Sequence, residues 1–265
     1  MTKKLLELNE RTKQAESIKD RFLSLIKNEF NNPISSLLNI AEILANKKNQ
    51  DRFDAIVTML NSELLNLDFQ LKNIFSAIEI EEGLIASHYA RINFRSIFDE
   101  VVTIFRYIVS DKKLSVVLTT CDDTDFISDS NKVFIMLLNL ISNACEYAFV
   151  ESKIAVRLTR RESDYAISVE NAGEAIKAQY ANQVFSRFTK LEQSKTRTSF
   201  GLGLGLSIVR GFAESMEGSV GFTSVEGDTI FTISLPFVQS EEATGSGVGG
   251  NEFFFDDADG KTMEL

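Results

Sequence analysis

Residues 137–148 read LLNLISNACEYA and residues 201–212 read GLGLGLSIVRGF, and these two stretches decide how the second half of the chain folds. Asn139 and Asn143 stand four apart and so share one helix face. Their neighbours are apolar, and a buried amide is costly unless it is hydrogen-bonded or ligates something. The segment alone leaves two readings open: core amides that cap loops, or neutral oxygens for a hard cation such as Mg²⁺. In the second stretch Gly201, Gly203 and Gly205 precede an apolar helix. Glycines there let backbone amides approach a phosphate, and the helix dipole favours the anion. A flexible hinge would use the same residues. The G-x-G-x-G spacing is neither the dinucleotide fingerprint nor a P-loop.

Working outward from these stretches, helices are predicted over 94–109 and 129–149, the second with Asp129 as N-cap. A third helix opens at the glycines and runs to Met216. Strands are predicted over 114–120, 153–159, 165–169, 219–223 and 229–235. Helices and strands interleave without a regular βαβ rhythm, which predicts an α+β layer with a mixed sheet. Glu170-Asn171-Ala172-Gly173 closes one strand and turns, so Asn171 projects above the sheet.

The first eighty residues contain no glycine and, as proline, only Pro33. From Phe53 the apolar positions Val57, Leu60, Leu64, Leu67, Leu71, Ile74 and Ile78 follow at spacings of four and three, the seam of a coiled coil or four-helix bundle. An upstream repeat through Ile18, Phe22 and Leu25 shifts phase near Pro33 and resumes at Ile34 and Leu37. With a break at 46–51, this reads as a helical hairpin. One hairpin cannot bury both faces of such a seam, so a four-helix homodimer is expected.

Composition excludes several classes. The 265 residues carry 28 basic and 38 acidic side chains, a net charge of −10. No basic footprint for nucleic acid is present. Cys121 and Cys145 fit neither a disulfide framework nor a zinc pattern, which points to a reducing cytoplasm. The longest apolar run is too short to span a bilayer, and the opening MTKKLLELNERTK is no signal peptide. Residues 238–265 hold seven acids and one lysine among Gly and Ser, so this acidic tail is expected to be disordered and dispensable for folding.

In this order the segments resemble the core of sensor histidine kinases: a dimerisation and phosphotransfer hairpin followed by a GHKL (Bergerat-type) ATP-binding domain. Asn139 and Asn143 match the family's asparagine box, which implies Asn143 as Mg²⁺ ligand. Asn171 and Gly173 match its first glycine box, VFSRFTK at 184–190 its phenylalanine box, and Gly201, Gly203 and Gly205 its second glycine box. The ATP lid lies between the last two. FLSLIKNEFNNPI at 22–34 resembles the phosphoacceptor motif. The resemblance covers roughly 15–237 and implies a hairpin over 1–82, a linker over 83–93 and a GHKL domain over 94–237. It also implies ATP or ADP with Mg²⁺ as cofactor and a receiver-domain response regulator as partner.

Three departures shape the functional expectation. Asn28 stands where the family carries its phosphoaccepting histidine. An amide nitrogen has its lone pair delocalised and is no nucleophile, so Glu29, the implied proton acceptor, has no substrate beside it. Asn171 replaces an adenine-gripping aspartate with a neutral acceptor. Glu146 replaces a lysine that faces phosphate, while Arg187, Lys190, Lys195 and Arg197 offer positive charge nearby. The expectation is a signalling protein of two-component type that cannot phosphorylate itself at the usual site and binds nucleotide weakly. Two rivals remain. One is an active kinase whose acceptor histidine has been substituted, or which acts on a partner in trans; the other is an inert coiled-coil scaffold.

Overall fold

The computed structural model describes residues 30–44, 53–83, 85–120, 124–189, 202–225 and 227–238. Residues 30–44 are helical (α1) and Phe53–Glu82 form a 30-residue helix (α2) that runs without glycine or proline to Gly83, at φ +66°. The predicted hairpin connection lies outside the described residues, as does the acidic tail beyond Val238. The seam of α2 divides. Phe53 and Leu64 are exposed, whereas Ile74, like its off-seam neighbour Ala77, is buried against the rest of the molecule. Phe69 meets Phe105 edge-on, with ring centroids 6.0 Å apart. The lower end of the seam is therefore already occupied by this chain's own core.

Two short strands, β1 (Ala90–Asn93) and β3 (Asp125–Ser128), pair antiparallel. Neither was expected, and β1 falls within the stretch expected as linker. Asn93 explains the turn into α3 (Phe94–Asp111). Its side-chain oxygen accepts from the amide of Ser96 at 2.9 Å, an N-cap that satisfies a donor the helix leaves unpaired.

The main sheet has the order β2-β4-β5-β7-β6, with β2 (Ser115–Thr120) parallel to β4 (Lys153–Arg160) and every other pair antiparallel. β5 is Asp164–Ala172, β6 Ser219–Val225 and β7 Asp228–Pro236. A helical N-terminal region followed by a mixed sheet with helices is the expected fold class. Strand alternation places Ile167, Val169 and Asn171 of β5, with Thr229, Phe231 and Ile233 of β7, among the buried residues, on one face. The helices α3, α4 (Ser130–Tyr147) and α5 (Gly205–Ser215) supply the rest of the core, with Phe94, Met136, Ile141, Ile208 and Phe212 almost wholly enclosed. Each such side chain contributes about 1.5–3 kcal/mol through removal from water.

Candidate nucleotide site

Asp129 fixes the start of α4. One carboxylate oxygen accepts from the amide of Lys132 at 3.0 Å, and the other accepts from the amide of His88 at 2.8 Å. This holds the segment after α2 to the helix that carries the paired asparagines. Asn139 is 4% exposed and Asn143, one turn on, is half-buried. At the far end Lys112 donates to the carbonyls of Cys145 and Glu146 at 2.8 and 2.6 Å, a cation on the negative end of the helix.

The second glycine segment meets α4 at Asn139. A Cβ built on Gly205, the first residue of α5, would stand 2.5 Å from Asn139 Oδ1. Only glycine admits that approach. Gly203 has φ +68°, and its carbonyl accepts from the amide of Phe188 at 2.9 Å. The end of VFSRFTK and the glycine turn are thereby stapled together. Phe185 packs edge-on against Phe222 and Phe231, with centroids 6.1 Å from each, so this half-buried aromatic anchors the segment on the core.

Asn171 and Gly173 meet the other end of α4. A Cβ on Gly173 would lie 2.4 Å from the carbonyl oxygen of Tyr147 and 3.0 Å from Asn171 Nδ2. Gly173 bridges to Ala148 and donates to the carbonyl of Gly227 at 2.9 Å. Asn171 is 5% exposed on the helix-covered face, in register with Thr229. Thr229 went unnoticed in the sequence, because only the pairing of β7 with β5 makes the two neighbours. Its hydroxyl lies 2.8 Å from that of Ser224, which accepts from the amide of Ile176. Glu146 is half-buried; its charge, after burial, helps push the Tyr147 phenol up to about 12.

Asn139, Asn143, Asn171, Gly173, Gly203 and Gly205 are thus gathered along one helix, between the end of β5 and the start of α5. Asn28, Glu29, Lys190 and Gly201 lie outside the described residues. An open cleft of ≈ 420 Å³ lined by Arg91, Arg160, Tyr165 and Phe237 is separate from this site. Tyr165 lies near the start of β5 and Asn171 near its end, about 20 Å apart.

Residues 128–239 match the model of the histidine kinase-, DNA gyrase B- and HSP90-like ATPases, a stretch that runs from the end of β3 through β7 and holds every described member of the site. These residues form a domain of that ATPase family. Over 225 residues, 84% of the chain, it is 24% identical to the heme sensor protein HssS of Staphylococcus haemolyticus, and it spans 48% of that protein. The histidine kinase AdeS of Acinetobacter baumannii shares the fold at a TM-score of 0.56 and 18% identity, over 80% of this chain and 98% of that one. The histidine kinase ThkA, solved in complex with the response regulator TrrA, does so at 0.56 and 20%, over 87% and 64%. The chain is similar to sensor histidine kinases over most of its length. Within the matched stretch the asparagine-bearing α4 lies beside Asn171, Gly173, Gly203 and Gly205, and α2, which precedes that stretch, packs on the same core. No helix among the described residues is long and apolar enough to cross a membrane.

Proposed function

We propose that the chain is a histidine-kinase-like signalling protein of two-component type. In this reading it is a homodimer through its hairpin, regulates a receiver-domain partner, and binds ATP or ADP with Mg²⁺ along α4. The observation that carries this reading is the approach of Asn139 Oδ1 to Gly205, which brings the asparagine helix onto the amide-bearing start of α5. The residues fit the ligand. The glycines leave room for phosphate oxygens at a helix N-terminus. Asn143 offers a neutral oxygen to Mg²⁺, which takes its remaining ligands from phosphate and water. Among the described residues no group of three His, Cys, Asp or Glu would draw a metal elsewhere. Asn171, on the buried face, accepts the proton of a base amino group. Bound Mg-nucleotide would supply the transferable phosphoryl group; the chain's own residues orient and shield it.

With Asn28 where an imidazole is required, the phosphoryl group has no acceptor in the hairpin. The ThkA complex supports a response regulator as the partner. The test is incubation with radiolabelled ATP and Mg²⁺. The unaltered chain is expected to take up no label, and Asn28→His to gain label at position 28. Robust incorporation by the unaltered chain would refute the non-catalytic part of this reading and favour the rival in which the chain is an active kinase.

A further inference from the structure

Asn139 shares its side chain with a residue that belongs to none of the nucleotide-site motifs. Its amide carries two N–H donors. One bonds within α4 to the carbonyl of Ile135 at 2.9 Å, and the other crosses to α2, to Asn73 Oδ1 at 2.7 Å. With both donors spent, the oxygen has one orientation, toward the start of α5 at Gly205. Turning the amide over would set its oxygen against two other acceptors, the carbonyl of Ile135 and Asn73 Oδ1. The side chain is nearly sealed from water, so solvent cannot replace a lost partner.

We propose that Asn73 is a positioning residue of the nucleotide site, supplied by the hairpin, which fixes the amide of Asn139 and ties nucleotide affinity to the seat of α2 on the ATPase-family domain. This rests on the nucleotide-binding reading above. Two further contacts hold α2 in that seat. Ile80 packs so closely on α5 that a Cβ at Gly211 would stand 2.7 Å from its Cδ1. Glu81 lies 3.5 Å from Arg187, within the segment stapled to Gly203. The ion pair is exposed and contributes little alone. The fit of Ile80 against Gly211 sets the distance. A slide or rotation of α2 withdraws the acceptor from Asn139, so a change in the hairpin reaches the site through one hydrogen bond.

The experiment uses the full chain and two readouts. Calorimetry with Mg-ADP compares the unaltered protein with Asn73→Leu, Asn73→Asp and Asn139→Ala. Asn73→Leu removes the acceptor at similar volume and is expected to weaken binding by about 5- to 30-fold, the cost of one unpaired buried donor. Asn73→Asp keeps an acceptor oxygen and is expected to recover most of that loss. Nuclear magnetic resonance follows solvent exchange of the Asn139 side-chain protons without nucleotide. They should exchange slowly in the unaltered chain and in Asn73→Asp, and fast in Asn73→Leu. If Asn73→Leu binds as tightly as the unaltered chain while Asn139→Ala does not, the proposal fails and the nucleotide reading stands. Absence of binding by the unaltered chain overturns both. Should the leucine variant not fold, fast exchange of these protons in the unaltered chain alone overturns the proposal.

Discussion

At the scale of single residues, space decides more than charge. The alanine Cβ at position 173 would press on a backbone oxygen of Tyr147, which cannot yield without moving the end of α4. Gly173→Ala is therefore expected to destabilise the fold by about 1–3 kcal/mol. Gly221 in β6 has nothing within 4 Å of its Cβ position, and Gly221→Ala is expected to be neutral or to stabilise by up to about 1 kcal/mol. Urea midpoints of the two variants check both. Burial also sets an alkaline limit. The Cys145 thiol and Tyr147 phenol are pushed from 9.0 and 10.0 up to about 12, chiefly by desolvation. Both groups ionise more readily in the unfolded chain, so their contribution is complete below pH 9 and is lost as pH rises from 9 toward 12. The urea midpoint should fall over that range, and less steeply in Cys145→Ala combined with Tyr147→Phe.

At the scale of elements, the heptad seam of α2 serves two masters. Leu64 is 47% exposed on the described chain, whereas Ile74 is 6% exposed against this chain's own core. A carboxylate in the upper seam of a dimer would be a buried, unpaired charge, at a cost of several kcal/mol. Leu64→Glu with Leu67→Glu is expected to yield monomers by light scattering while the domain stays folded; an unchanged dimer would remove this seam as the interface. The long elements were legible because each announces itself locally: α4 by Asp129 and its apolar run, β5 and β7 by alternation. β1 and β3 were not. At four residues each they offer too little period to read, and their pairing spans more than thirty residues of chain. The same reason hid Asn73. The glycines and paired asparagines of the site are local words, but Asn73 sits in an ordinary hairpin stretch, and only the packing of α2 on α4 gives it meaning. Likewise the spacing of the seam could not show that its last turns are already used.

At the scale of the whole molecule, the question is how tightly a site with these substitutions can hold nucleotide in a chain of net charge −10. A neutral Asn171 gives up about 1–2 kcal/mol relative to a charged acceptor, because hydrogen bonds to ionised groups are roughly twice as strong. Glu146, where the resemblance implies a lysine facing phosphate, would add a carboxylate to the proposed site. Together they remove about 2–3 kcal/mol, or about 30- to 150-fold in affinity. On the proposed reading, binding at millimolar nucleotide would survive that loss, which suits a ligand that sets conformation. Asn171→Asp is expected to tighten Mg-ADP by about tenfold. Asn143→Ala is expected to remove the Mg²⁺ dependence of binding while leaving a weak metal-independent component from the glycine turn. Calorimetry with and without Mg²⁺ reads both. A loss on Asn171→Asp would mean that the base is not held at the end of β5, and Mg²⁺ dependence that persists in Asn143→Ala would place the cation away from α4.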